Sequence, residues 1–220
     1  MLLGIDDAGR GPVIGPMVLA GCLIDEATEK EFKKIGIKDS KKLTQKRREH
    51  FEKIIKDKAE IFEVVLAYPS EIDKLNPKGI NLNLIEANKT AEIINKINKG
   101  FKKIKVIVDC PSAGILKWED YVKTKINNLS NLEISCEHKA DVNHTVVAAA
   151  SILAKCTRER EMQKLKERYS DEIGSGYCSD PLTCRFLEKH AHKYREDGIF
   201  RQTWSTYKNA SASLEQQKLI

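Results

Sequence analysis

Runs of apolar residues along the chain predict five β-strands, which differ in the spacing of their polar positions. Residues 2–6 and 16–24 are short apolar runs joined by a link rich in glycine and proline, a pattern that favours antiparallel pairing. Residues 60–68 alternate between polar and apolar positions, as a half-buried strand does. The continuous apolar run at 105–109 ends in an acid and is typical of a buried parallel strand. Residues 132–137 supply the fifth strand.

Apolar positions with the period of a helix occupy most of the remaining chain. The segments with this pattern are residues 44–58, 81–98, 115–127, 142–168 and 180–194. Three early strands followed by two strand–helix units predict an α/β fold, with a mixed five-stranded sheet flanked by helices. We expect a sheet domain at residues 1–170, a helical C-terminal extension at 171–208 and a disordered tail at 209–220.

Four carboxylates are predicted at the ends of three of these strands. Asp6 and Asp7 end the first strand, Asp109 ends the fourth, and Asp141 follows the fifth. If these strands are parallel neighbours, all four carboxylates lie at one edge of the sheet, where open α/β sheets build their sites. Like charges so placed repel each other unless cations lie between them. Oxygen ligands without His or Cys favour two Mg²⁺ or Mn²⁺ ions, which can support phosphodiester cleavage.

Each of these acids also has a plain structural interpretation. Asp141 stands ahead of a helix and could cap it, and Asp109 lies close to Pro111 and could form a turn. The tandem of Asp6 and Asp7 after an apolar strand is harder to explain in this way. His144 lies one helical turn after Asp141, so it could assist proton transfer or serve as a surface or capping residue.

Composition adds expectations about partners and location. The chain has 220 residues, 41% hydrophobic content and a formal net charge of +6, and a basic excess favours polyanionic partners such as nucleic acid. Its cysteines form no C-x-x-C pair, so a structural zinc site is not expected. The sequence starts without a signal peptide and has no apolar run long enough to span a membrane. It therefore predicts a cytoplasmic protein with reduced cysteines and no membrane contact.

Four motifs in a fixed order extend over nearly the whole chain. The first is Gly-Ile-Asp-Asp-Ala-Gly-Arg-Gly-Pro-Val-Ile-Gly-Pro at residues 4–16, and the second is Asp-Ser-Lys-Lys-Leu at 39–43. The third runs from Lys-Ala-Asp at 139–141 through Val-Ala-Ala-Ala-Ser-Ile-Leu-Ala-Lys at 147–155, and the fourth begins with Gly-Ser-Gly-Tyr at 174–177. Their order and spacing resemble those of type 2 ribonucleases H (ribonuclease HII), in an archaeal-like form.

The resemblance implies a ribonuclease H-like fold, with its catalytic domain at residues 1–170. It implies an endonuclease that hydrolyses the RNA strand of RNA–DNA hybrids and incises DNA duplexes at embedded ribonucleotides. It also implies products with 3′-hydroxyl and 5′-phosphate ends. Carried over residue by residue, the family's metal ligands and catalytic residues are Asp6, Asp7, Asp109 and Asp141.

Substrate contacts follow from the same resemblance. The backbone of Gly9-Arg10-Gly11 would approach the ribose 2′-hydroxyl, which distinguishes RNA from DNA. Tyr177 would pack on the sugar at the RNA–DNA junction. Ser40 and Lys41 are predicted phosphate contacts, which position a substrate without reading its sequence.

Two positions depart from the family pattern, and they leave alternatives open. Asp7 stands where the family has Glu, and Cys178 stands where it usually has Pro. A different nuclease on the same fold would cut DNA that lacks ribonucleotides, and a weakly catalytic binding protein would hold RNA–DNA hybrids without cutting them. We expect a monomer. A sliding clamp is a possible partner, but the tail at 214–220 lacks the aromatic pair of a clamp-binding peptide and also resembles the start of a common epitope tag.

Overall fold

A computed structural model describes residues 1–38 and 43–217 of the chain. Its five strands are β1 (Leu2–Ala8), β2 (Met17–Ile24), β3 (Ile61–Ala67), β4 (Ile104–Asp109) and β5 (Leu132–Glu137). They form one sheet in the order β3-β2-β1-β4-β5. β1 pairs antiparallel with β2 and parallel with β4, and β4 pairs parallel with β5. The predicted mixed five-stranded sheet is thereby confirmed.

A helix occurs in each of the segments with the helical period, although the fifth and eighth helices end four residues earlier than predicted. They are α1 (Glu26–Ile35), α2 (Gln45–Lys58), α3 (Pro69–Leu75), α4 (Leu82–Ile97), α5 (Ile115–Lys123), α6 (Ala140–Asn143), α7 (Thr145–Tyr169), α8 (Pro181–His190) and α9 (Ser205–Gln217). Short 3-10 turns lie at Asn76–Lys78, Asp171–Ile173 and Arg195–Asp197. Within residues 1–38 and 43–217, no helix is long and apolar enough to cross a bilayer.

The chain folds into two compact units that interleave along the sequence. Unit 1 comprises Met1–Ala8, Val18–Leu66 and Asn83–Thr157, and unit 2 comprises Gly9–Met17, Ala67–Leu82 and Arg158–Ile220. This division differs from the predicted domains at 1–170 and 171–208, which stay a prediction. It differs because two early segments, at residues 9–17 and 67–82, cluster with the C-terminal helices.

Unit 1 contains the sheet, and its first strand lies against the start of α7. A Cβ atom added to Gly4 of β1 would overlap the backbone carbonyl of Val146 and lie 2.5 Å from the nitrogen of Val147. Only glycine allows so close an approach between strand and helix backbones. Small residues on α7, Ala148 to Ala150, are buried in the same core. The alanine-rich run therefore sets the depth of α7 on the sheet.

Unit 2 has its own aromatic core, which includes part of the predicted tail. Phe186, Phe200 and Tyr207 are buried together, and the Tyr207 hydroxyl donates to the carbonyl of Ala191 at 3.2 Å. Ala210 of α9 packs against this cluster. The helix continues to Gln217, so it extends into the region at 209–220 where the sequence predicts disorder. Burial of Tyr207 and the packing of Ala210 attach the first half of this helix to the core of unit 2.

The predicted long helix at 142–168 is interrupted. His144 ends α6 with an extended backbone, φ −125° and ψ 122°, and α7 begins at the next residue. Lys139 precedes α6 in the left-handed region, with φ of 59°. The two breaks place a single helical turn at residues 140–143 between β5 and α7, and this turn carries Asp141.

Candidate active site

Asp6 is a buried acid near the end of β1, with only 6% of its surface exposed. Its Oδ1 accepts a hydrogen bond from the backbone nitrogen of Asp7 at 2.7 Å. Burial raises the pKa of Asp6 well above the ordinary value of 3.8, and the negative charges of Asp7 and Asp109 raise it further. A hydrogen bond with the side chain of Ser151 acts in the opposite direction. Asp6 is thus held charged only at a cost in free energy, unless a cation is nearby.

Asp109 is fixed at the end of β4 by the turn that carries Asp141. The backbone nitrogen of Ala140 donates to Oδ1 of Asp109 at 2.7 Å. Asp141 follows directly in the same helical turn and is 2% exposed. Because β1, β4 and β5 are parallel neighbours, their carboxyl ends share one edge of the sheet. The structure therefore brings all four predicted carboxylates to this edge of unit 1.

The chemistry of this donor set fits hard divalent cations. Carboxylate oxygens are the ligands that Mg²⁺ and Mn²⁺ prefer, and the mutual repulsion around Asp6 would be relieved by positive charge. Within the part of the chain that the structure describes, no three His, Cys, Asp or Glu side chains are arranged as a ready-made metal site. The four carboxylates therefore lie at one edge of the sheet, where the charges of Asp7 and Asp109 act on Asp6, but they do not form a closed ligand shell.

Two further polar groups, Ser151 and Glu137, lie near these carboxylates and have no role predicted by the sequence. Ser151 is fully buried in the alanine-rich part of α7 and contacts Asp6. Glu137 lies opposite Asp109 in the pairing of β4 with β5, and its Oε1 is 2.7 Å from Nε2 of His144. A serine within an apolar helical run was the available signal for Ser151. The partner of His144 depends on the break at residue 144, which the periodicity did not reveal.

The predicted sugar-reading segment, Gly9-Arg10-Gly11, lies in unit 2. Gly9 has φ of +80°, and an added Cβ would overlap the side chain of Arg158 and lie 2.8 Å from the carbonyl oxygen of Pro16. Gly11 is exposed, and its nearest neighbour for such a Cβ is the ring of Tyr177 at 3.8 Å. The structure thus places Gly11 beside Tyr177, another of the predicted substrate contacts.

Tyr177 is presented by a loop that is tied down on both sides. Tyr177 is 40% exposed, and the guanidinium carbon of Arg158 lies 5.0 Å from its ring centroid. Arg158 also donates to the carbonyl of Ser175 at 2.9 Å. The carboxylate of Asp180 accepts from the nitrogen of Ser175 at 2.7 Å and caps α8. These contacts fix the ring of Tyr177 without covering it.

The other predicted contacts have different outcomes. Ser40 and Lys41 lie outside the described residues, and their role as phosphate contacts stays a prediction. Arg201 lies in no motif that marks it as functional, yet it is fully buried and donates to the carbonyls of Gly9 and Arg10. These contacts join residues about 190 positions apart, so no local pattern could have indicated them.

Comparison with known proteins agrees with this architecture. Residues 3–207 match the family model described as Ribonuclease HII. The ribonuclease HII of Methanocaldococcus jannaschii is 40% identical over 230 residues, which cover 100% of this chain and 99% of that protein. The ribonuclease H2 from Pyrococcus horikoshii OT3 superposes with a TM-score of 0.86 and 36% identity, over 97% of this chain and 98% of that one.

A second solved structure gives a similar result. The PCNA:RNase HII complex from Archaeoglobus fulgidus matches with a TM-score of 0.82 and 37% identity, over 96% of each chain. The resemblance inferred from the four motifs is confirmed, and so is the ribonuclease H-like fold. The chain therefore belongs to the ribonuclease HII family and is a metal-dependent endonuclease that hydrolyses the RNA strand of RNA–DNA hybrids.

Proposed function

We propose that the acidic edge of the sheet binds two divalent ions, Mg²⁺ or Mn²⁺, and that cleavage leaves 3′-hydroxyl and 5′-phosphate ends. The observation that carries the proposal is the buried Asp6, whose pKa is raised by burial and by the charges of Asp7 and Asp109. The proposed ligands and catalytic residues are Asp6, Asp7, Asp109 and Asp141. When bound, the ions would activate a water molecule and stabilise the departing 3′-oxygen.

The residues around these carboxylates hold them in place. The hydrogen bond from Ala140 fixes one oxygen of Asp109, and the hydrogen bonds from Asp7 and Ser151 orient Asp6. Asp7 is only partly buried, and it is shorter than the family's Glu by one methylene, about 1.5 Å of reach. In this proposal Asp7 still serves as a ligand, from a position nearer to the strand backbone.

We also propose that Gly9-Arg10-Gly11 reads the ribose 2′-hydroxyl, with Tyr177 packed on the sugar. Gly11 is exposed beside Tyr177, so a sugar could reach the backbone and the ring together. Reading the sugar in this way would allow incision at a single ribonucleotide embedded in a DNA duplex. Ser40 and Lys41 would contact the phosphates.

Replacing Gly11 with Ala tests the sugar-reading role. The added methyl has ordinary contacts inside the protein, with Tyr177 as its nearest neighbour at 3.8 Å. We therefore expect a melting temperature within about 2 °C of wild type. The methyl would stand between backbone and sugar, and kcat/KM for a duplex with one ribonucleotide should fall about 10- to 100-fold. Unchanged incision by this stable variant would remove the support for backbone reading.

Two competing functions are separated by one cleavage assay. The substrates are a DNA duplex with one embedded ribonucleotide, a long RNA–DNA hybrid, and an all-DNA duplex, each with Mg²⁺, Mn²⁺ or chelator. We expect metal-dependent incision of the first two, with 3′-hydroxyl and 5′-phosphate ends. Incision of the all-DNA duplex at a similar rate would favour a DNA nuclease on the same fold. Tight binding of hybrid without any cleavage would favour a binding protein.

For partners, we infer that the chain acts as a monomer on its nucleic acid substrate. The relative from Archaeoglobus fulgidus forms a complex with PCNA, and this makes a sliding clamp a reasonable second partner. Side chains at 214–220 lie outside the described residues, so support for clamp binding comes from that relative alone. Co-elution with purified archaeal PCNA, or its absence, would decide the question.

A further inference from the structure

The turn formed by residues 9–15 is held by the side chain of Arg201. One fully buried guanidinium group donates three hydrogen bonds to it. Nη1 donates to the carbonyl oxygen of Arg10 at 2.6 Å. Nη2 donates to the carbonyl oxygens of Gly9 at 2.6 Å and Gly15 at 3.1 Å. A single planar cation therefore fixes both ends of this turn.

These hydrogen bonds determine where the neighbouring N–H groups point. In a trans peptide, the carbonyl of one residue and the N–H of the next point in opposite directions. Since the carbonyls of Gly9 and Arg10 point toward Arg201, the N–H groups of Arg10 and Gly11 point away from it. Hydrogen bonds from a cation also polarise the two peptide groups and strengthen their N–H donors.

We propose that Arg201 is a positioning residue for sugar selection. It aims and polarises two backbone N–H donors for the oxygen of a ribose 2′-hydroxyl. This inference rests on the proposed reading of the 2′-hydroxyl by Gly9-Arg10-Gly11. Deoxyribose lacks this oxygen, so the contribution of Arg201 is realised with ribonucleotides and absent with deoxyribonucleotides.

The segment around Arg201 is itself held rigidly. The nitrogen of Arg201 donates to the carbonyl of Val13 at 2.8 Å. The carboxylate of Asp73 accepts from the backbone nitrogens of Gln202 at 2.7 Å and Thr203 at 3.0 Å, and also from the Thr203 hydroxyl at 2.7 Å. Asp73 thereby holds the segment that carries Arg201, and it acts on the turn indirectly.

Lysine cannot reproduce this arrangement. Its ammonium group is a compact point charge, whereas the guanidinium group presents a flat array of donors that reaches separated acceptors. Arg201→Lys therefore keeps the charge and loses the simultaneous hold on three carbonyls. The guanidinium carbon also lies 5.2 Å from the ring centroid of Trp204, a cation–π contact.

The test compares sugar preference in Arg201→Lys, Asp73→Asn and wild type. Two duplexes are used, one with a single ribonucleotide and one with a 2′-fluoro-2′-deoxynucleotide at the same position, and kcat/KM is measured for both. We expect Arg201→Lys to lower the ribonucleotide value about 10- to 100-fold. The kcat/KM for the 2′-fluoro duplex should stay within about threefold of wild type. The sugar preference, which is the ratio of the two kcat/KM values, therefore falls. Asp73→Asn should give a smaller change in the same direction, and it decides the question if Arg201→Lys does not fold.

A matched control separates sugar selection from loss of stability. Tyr207→Phe removes a buried hydroxyl that donates to Ala191 in the same unit, and it should leave the preference unchanged. Equal losses on both duplexes in Arg201→Lys and Asp73→Asn would overturn the inference, as would an unchanged preference. If wild type itself shows no preference between the two duplexes, the proposed sugar reading fails as well. If wild type prefers ribose and Gly11→Ala loses that preference while both variants keep it, only the role of Arg201 fails.

Discussion

Replacing Asp6 with Asn is expected to abolish cleavage and, in metal-free buffer, to stabilise the fold. The amide keeps the shape of the side chain but removes a ligand charge, and the lost stabilisation of the transition state should lower kcat about 1,000-fold or more. In the folded protein, burial and the charges of Asp7 and Asp109 raise the pKa of Asp6. A neutral side chain avoids the free-energy cost of burying this charge beside other negative charges, so Tm should rise by roughly 2–4 °C.

The pH dependence of this stabilisation follows from the direction of the shift. When folding raises the pKa of a carboxyl group, that group destabilises the fold at pH values above its ordinary pKa of 3.8. The destabilisation grows as pH rises toward the folded pKa. The Tm advantage of Asp6→Asn should therefore be present at neutral pH and shrink as pH falls toward 4. Thermal melts in chelator at several pH values check this. A variant that cleaves like wild type, or that is less stable at neutral pH, would contradict the assigned role of Asp6.

Gly4→Ala is expected to cause the largest loss of stability among single methyl additions in unit 1. The new Cβ would overlap the backbone carbonyl of Val146 and lie 2.5 Å from the nitrogen of Val147, and neither atom can move without α7. Overpacking against backbone should cost roughly 3 kcal/mol. For a chain of this length that lowers Tm by about 6–12 °C. Displacing α7 also moves Ser151 away from Asp6, so cleavage should fall as well.

Gly114→Ala is the matched control for this effect. The nearest atom to an added Cβ there is the hydroxyl oxygen of Ser112, at 4.0 Å, and the glycine has φ of −93°. Its free energy of unfolding should stay within about 0.5 kcal/mol of wild type. If chemical denaturation shows Gly4→Ala to be as stable as Gly114→Ala, the close packing of β1 on α7 is not what positions this site.

The strands were predictable because their signals are local. The strands are apolar or alternating runs bounded by turn residues. Asp6 and Asp109 stand at or near the ends of such runs, and Asp141 lies shortly after the fifth strand. The shared edge of the sheet then follows from parallel pairing of β1, β4 and β5. The proximity of the four carboxylates could thus be predicted from the sequence, although the exact ligand roles stay proposals.

Some local elements were missed because polar composition concealed them. Helix α1 buries Phe32 and little else, yet Asp25 caps its start by accepting from the nitrogen of Thr28, and Gly36 ends it in the left-handed region. Those two caps were readable signals. The interruption at His144 was not, because neither proline nor glycine marks it. That break pairs His144 with Glu137 and gives Asp141 its own helical turn.

Contacts distant in sequence were the least predictable. Arg201 reaches Gly9 and Arg10, and Asp73 reaches Gln202 and Thr203. No local sequence pattern indicates these contacts, because the residues that form each of them lie more than 100 positions apart. The motifs nevertheless identified the turn itself, which the resemblance assigns to the ribose 2′-hydroxyl. The structure added the group that fixes the carbonyls of this turn.

The most direct test of the account measures cleavage of a duplex with one embedded ribonucleotide against free Mn²⁺ or Mg²⁺ concentration. Wild type and Asp141→Asn are compared, with melting curves to show that both are folded. The account predicts no cleavage in chelator, saturable activation of wild type by either ion, and loss of about 1,000-fold or more in Asp141→Asn. Full cleavage by wild type in chelator, or by Asp141→Asn in metal, would contradict the claim that these carboxylates perform the reaction through bound cations.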